Sequence, residues 1–164
     1  MTIKIETPSV VDDTATTPEG TPVTINVLGN DKPGSEGPLK ITEVNGQPLT
    51  VGTPVQLTDV ATGLPIGTVS LVDGGTPRDP TDDKLEFTPE PGFNGPLDFT
   101  YTVADTKGTK LDGTVKVNVT PVNGPPVANP DTTSTPVNTP TIIDVTGNDT
   151  DPDGDPLTIT EING

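Results

Sequence analysis

Twenty-one prolines are spread through 164 residues, and the longest stretch without one is 97–120. Proline removes a backbone donor and breaks helix interiors, so this chain has no room for long helices. The windows between prolines carry a period of two instead. Leu97, Phe99, Tyr101 and Val103 alternate with Asp98, Thr100 and Thr102, and Val115, Val117 and Val119 alternate with Lys116, Asn118 and Thr120. Alternation of this kind marks strands with one buried face. Residues 105–112, with Gly108 inside, read as the hairpin loop between them. Val23, Ile25 and Val27, then Leu39 and Ile41, Val69 and Leu71, and Leu85 and Phe87 add further strands.

Seven or so short strands separated by Gly, Pro and Asp turns predict an all-β sandwich. Its expected core is Val23, Ile25, Val27, Ile41, Val69, Leu85, Phe87, Phe99, Tyr101, Val103, Val117 and Val119. The four aromatic residues, Phe87, Phe93, Phe99 and Tyr101, fall in one short window, and aromatic rings bury the most area per side chain.

Composition narrows the chemistry. Twenty-four acidic against eight basic residues leave a formal charge of −16, which repels nucleic acid and anionic lipid. No run of apolar residues is long enough to span a membrane, and no basic segment followed by an apolar one opens the sequence. There is no Cys and no His, which removes thiol nucleophiles, imidazole bases and the usual zinc ligands. No base–nucleophile arrangement is visible, so the expectation is a non-enzyme. A hard cation held by carboxylates remains open.

The chain also repeats. A shift of 118 residues lays 129–164 on 11–46 without a gap, and half of the 36 paired positions are identical. Gly29, Asn30 and Asp31 fall on Gly147, Asn148 and Asp149, and Ile41, Thr42 and Glu43 fall on Ile159, Thr160 and Glu161. The expected organisation is a complete repeat over 1–122, a Pro-rich linker over 123–130, and the first part of a second repeat over 131–164. Such a pattern predicts a piece of a longer tandem array. The second part carries no aromatic residue and lacks the strands that would pair with its own. It is not expected to fold as an independent sandwich, and it could replace 11–46 in a neighbouring molecule, giving strand-swapped self-association.

One motif has the density of a site: Asp149, Asp151, Asp153 and Asp155, with Gly154 among them. Carboxylates at alternate positions resist ionising together without a counter-cation, and calcium accepts oxygen ligands in irregular loops. The spacing equals the first half of an EF-hand loop. Thr160 stands where the bidentate Glu would be, and no helix flanks the loop. A solvated acidic turn explains the same residues. The equivalent stretch in the first repeat keeps only Asp31 and carries Pro33, Ser35 and Gly37 in place of the other three. Asp13, Asp105, Asn123 and Asp131 are further candidates, as ligands of a shared inter-repeat calcium, with Asp12 and Asn129 nearby. Asp79, Asp82 and Asp83 read as a solvated hairpin loop.

These residues resemble a family. The segments 27–31 and 147–158, the run Phe87-Thr88-Pro89-x-Pro91-Gly92-Phe93-Asn94-Gly95, the strand Phe99-Thr100-Tyr101-Thr102-Val103-x-Asp105, and the closing Val117-x-Val119-x-Pro121-Val122-Asn123 are similar to bacterial cadherin-like, Ig-like tandem repeats. Repeats of that kind build large calcium-binding (RTX-type) surface adhesins. Gly124 stands where such linkers usually have Asp. The resemblance implies an Ig-like, cadherin-like Greek-key sandwich. It also implies an extender of an extracellular, type I-secreted adhesin that uses Ca2+ and serves adhesion and biofilm formation. Its partners would be neighbouring repeats and a cell-surface or extracellular ligand. A glycan- or protein-binding module, or an accessory module of a secreted enzyme, stands as the alternative.

Overall fold

The computed structural model describes residues 5–76 and 79–162. Its strands are β1 (Asp13–Pro18), β2 (Val23–Ile25), β3 (Lys40–Val44), β4 (Gln47–Pro48), β5 (Val55–Thr58), β6 (Pro65–Val72), β7 (Lys84–Pro89), β8 (Gly95–Ala104) and β9 (Lys110–Thr120). No helix occurs among the described residues. The chain divides into two units, Met1–Pro121 and Val122–Gly164, and every named strand lies in the first.

The proline-free stretch makes the longest ladder, β8 against β9, in register from Gly95↔Val119 to Ala104↔Lys110. That ladder is the middle of a five-stranded sheet, β1-β9-β8-β3-β4, which faces a four-stranded sheet, β2-β7-β6-β5. β1 runs parallel to β9, and the other pairs are antiparallel. The chain changes sheet between β2 and β3 and again between β7 and β8. Because β2 pairs with β7 while β3 pairs with β8, the two crossings interlock as a Greek key.

The expected core is buried with one exception. Val23 is half-buried, since β2 is three residues long and pairs only with β7. Val44, Leu49, Val55 and Leu57 join the core although their local pattern is too short to show alternation. β1 also departs from expectation. Its sequence is polar, and only Thr17 is fully buried. It is a strand because β9 offers it a parallel edge, and the Thr17 hydroxyl donates to the Thr21 carbonyl at 2.6 Å. The β8–β9 loop is shorter than 105–112, because pairing resumes at Lys110.

Aromatic rings tie the sheets together. Phe87 of one sheet stacks on Phe99 of the other, with centroids 6.4 Å apart, and both are buried. The Tyr101 ring lies over Gly113, its cross-strand partner. A Cβ at Gly113 would stand 2.4 Å from Tyr101 Cζ.

The second unit repeats the turns of the first without its sheets. The Thr135 hydroxyl donates to the Thr139 carbonyl at 2.5 Å, as Thr17 does to Thr21. Asn138 takes a φ of 61° where the equivalent Gly20 has 66°. No strand forms among the described residues of this unit; its one bridge joins Val127 and Thr150. Local hydrogen bonds are written into 129–162, whereas the pairing strands are supplied by other parts of the chain in the first unit.

Replacing Gly113 by Ala should therefore destabilise the first unit by about 1–3 kcal/mol, the usual cost of overpacking. Chemical denaturation measures it, and an unchanged midpoint would show that the Tyr101 ring has room to move.

Candidate functional site

The buried hydroxyl of Tyr101 organises one site-like cluster. Tyr101 is 0% exposed. Its oxygen lies 3.1 Å from Asp13 Oδ2, 3.3 Å from Asp31 Oδ2, 3.4 Å from the Val11 carbonyl and 3.5 Å from the Val27 carbonyl. A phenol has one proton to give, so four acceptors compete for it. Asp31 Oδ1 accepts from the Val11 N–H at 2.9 Å, and Asn30 donates to Asp13 Oδ1 at 3.1 Å. Nearby, Asp12 accepts from the Thr114 N–H. The network fastens the segment leading into β1 to the β2–β3 connection and to β8.

Electrostatics follow from that crowding. Burial raises the carboxyl pKa of Asp13, and the neighbouring Asp31 and Asp12 charges push the same way, against the hydrogen bonds from Tyr101 and Asn30. Burial likewise raises Asp31. The phenol is pushed far up, by burial first and then by both carboxylates.

Asp105 behaves differently. It is 3% exposed and caps its own hairpin, with Oδ1 accepting from the Lys107 and Thr109 N–H groups at 2.9 and 2.8 Å. The Thr109 N–H leads the interactions that hold its pKa below the ordinary value. Its Oδ2 is buried without a hydrogen-bond partner. Asp13 lies beside Val115, whereas the hairpin closes at Lys110. Five residues of β9 separate them, about 17 Å. The structure does not bring Asp13 and Asp105 into one ligand shell.

Asn123 and Asp131, the other two candidates of that set, lie in the second unit, and both are exposed. Asp131 is the repeat equivalent of Asp13, so the two stand at corresponding positions of successive repeats.

The acidic loop 149–155 is shaped by its own hydrogen bonds. Asp151 Oδ1 accepts from the N–H groups of Asp153 and Asp155 at 2.9 and 3.2 Å. Gly154 makes the turn at φ 76°. Asp149 Oδ1 accepts from the Asn129 N–H at 2.7 Å, repeating the bond from Val11 to Asp31. Asp153 Oδ2 accepts from the Gly124 N–H at 2.6 Å, which ties the linker segment to the loop. One oxygen each of Asp149, Asp151 and Asp153, and both of Asp155, remain for a ligand. They form no group of three within 4.8 Å of one another; among the described residues, the carboxylates that do, with one oxygen each, are those of Asp73, Asp82 and Asp83.

That second group sits in the β6–β7 connection, which the sequence pattern presented as a solvated hairpin. Asp82 Oδ2 accepts from the Thr76 N–H at 3.1 Å, and its Oδ1 is buried without a partner. Burial, followed by the charges of Asp73, Asp82 and Asp79, raises the pKa of Asp83. Asp73 carried no motif, and only the pairing of β6 with β7 places it opposite Asp82 and Asp83.

Two sheets crossed by an interlocked pair of connections define the class as an immunoglobulin-like sandwich. The chain matches the bacterial Ig domain over residues 6–118 and 123–164, and it belongs to that family. No curated protein matches it.

The carboxyls of Asp13, Asp31 and Asp83 have raised pKa values, so the folded state takes up their protons before the unfolded chain does. Stability should rise as pH falls from neutral through those raised values toward the ordinary 3.8. Below 3.8 it should fall again, as Asp59, Asp79 and Asp105, whose pKa values are lowered, become protonated. Melting temperature against pH tests this. Asp31→Asn should flatten the slope on the neutral side; a slope that is unchanged in this variant would assign it to overall charge repulsion instead.

Proposed function

We propose that this chain is a calcium-braced extender of a bacterial cell-surface adhesin, working by mechanical display rather than catalysis. The observation that carries the reading is the recurrence at a fixed spacing of 118 residues, in sequence and in hydrogen bonds. Val11 to Asp31 becomes Asn129 to Asp149, and Thr17 to Thr21 becomes Thr135 to Thr139. Units repeated in this way form quasi-linear arrays, and an array projects whatever its tip carries. Bacterial Ig domains are common in extracellular and surface proteins, which supports a surface location. Export by type I secretion and a role in biofilm formation belong to the same reading.

Calcium enters through the acidic loop. Asp151 already holds the turn, and the unused oxygens of Asp149, Asp151, Asp153 and Asp155 are the donor chemistry that a hard cation takes. Drawing those oxygens inward would tighten the loop that binds Gly124, and so stiffen the segment between repeats. The converging carboxylates of Asp73, Asp82 and Asp83 offer the same chemistry in the first unit.

Calorimetric titration with calcium should give saturable heat. Asp151→Asn with Asp153→Asn should remove the contribution of the second unit, while Asp73→Asn with Asp83→Asn reports on the first. A chain that takes up no calcium would overturn the bracing. Small-angle scattering should give a longer and narrower distance distribution with calcium than with chelator; identical curves would leave calcium without a mechanical role.

A further inference from the structure

In the first unit the β5–β6 turn and the β7–β8 turn lie side by side, tied by the Glu90 N–H on the Ile66 carbonyl at 3.1 Å. Both turns hold their own shape. The Asp59 N–H donates to the Leu64 carbonyl and the Gly63 N–H to the Asp59 carbonyl, each at 2.8 Å. Asp59 Oδ1 accepts from the N–H groups of Ala61 and Thr62 at 2.7 and 2.8 Å. In the other turn the Phe93 N–H donates to the Glu90 carbonyl at 3.0 Å. Pro91 and Gly92, the latter at φ 82°, stand between them as in a type II turn.

Apolar side chains crowd these turns without supporting them. Val60 is fully exposed at the tip of the first, and Leu64 is 63% exposed. Leu64, Ile66, Pro91 and Phe93, with Asp59 and Glu90, border about 270 Å³ of open space. Exposed apolar groups gathered on a preset backbone mark a contact surface, because binding there orders little further. The rim sets the charge of the partner. Among the described residues no Lys or Arg borders the groove, and Asp59 Oδ2 and the Glu90 carboxylate have no hydrogen bond or ion pair. The bonds from the Thr62 and Ala61 N–H groups hold the Asp59 carboxyl below its ordinary pKa, so it stays ionised. A formal charge of −16 repels a second copy of the chain and an anionic lipid surface alike. A guanidinium suits both halves of the groove: it is planar and weakly hydrated, stacks on an aromatic ring and forks onto a carboxylate.

We infer that this groove docks a polypeptide segment of another protein in which an arginine is flanked by apolar residues. The guanidinium pairs with Glu90 beside the Phe93 ring, and the apolar neighbours cover Leu64 and Val60. Calcium plays no part in this recognition.

The test is an NMR titration of the isotope-labelled whole chain, in chelator, with a short acetylated and amidated peptide of alternating leucine and arginine. Saturable shifts confined to residues 59–66 and 90–93 are expected. Glu90→Gln should weaken binding about tenfold, the effect of one hydrogen bond to a charged group. Leu64→Ser should weaken it by a similar factor, about the worth of one buried leucine. Neither variant should change the melting temperature, because neither side chain belongs to the core. The same peptide with citrulline for arginine keeps the shape without the charge and should not bind. Absence of saturable shifts, or equal binding of the citrulline peptide, would overturn the proposal. Binding that Glu90→Gln leaves unchanged would do so too, because the peptide would then be drawn to the acidic surface at large. If cellohexaose moves these residues and the peptide does not, the groove is a glycan site and the assigned occupant is wrong.

Discussion

The burial of one tyrosine sets the arrangement of the first unit. The Tyr101 ring needs a partner without a side chain, and Gly113 supplies it across the ladder. Its hydroxyl needs acceptors, and the segment before β1 and the β2–β3 connection bring them. A buried hydroxyl left unpaired costs on the order of 1–3 kcal/mol, so packing and hydrogen bonding here are one constraint. Two carboxylates are drawn into the same space as a result, and their raised pKa values follow from it. The site-like character of the cluster is thus largely a consequence of holding the entry segment in place.

The two units separate what is local from what is not. Side-chain caps, a left-handed turn residue and the Asp-to-backbone bonds recur at equivalent positions in both. The sheets do not, because β2 needs β7 and β3 needs β8, and those partners are far away in sequence. The second unit therefore shows the repeat with its turns made and its apolar residues uncovered.

The acidic residues divide by the same logic. Asp105 and Asp151 spend carboxylate oxygens on their own backbone and would adopt their turns without any ion. Asp73, Asp82 and Asp83 are brought together by the pairing of β6 with β7, and their mutual repulsion is the kind of cost that a cation relieves. The motif with the clearest spacing and the carboxylates that converge as a group of three are therefore different residues. Spacing along a chain measures contour length, whereas a cation responds to distance through space.

Much of this protein was legible from residue order alone. Proline spacing excluded helices, period-two alternation located β8, β9 and most of the core, and the 118-residue shift exposed the repeat. Each of these is a local or periodic property of the sequence, set by backbone stereochemistry and by which face of a strand is apolar. Tertiary structure decided the rest. β1 is a strand only because β9 offers it an edge, and Val55 and Leu57 are core only because β6 and β7 cover them. Asp13 joins Asp31 rather than Asp105 because β9 holds the hairpin away, and Asp73 meets Asp82 and Asp83 through a strand pairing that no run of residues encodes. These outcomes depend on contacts between segments distant in sequence, whose partners are chosen by the whole sandwich.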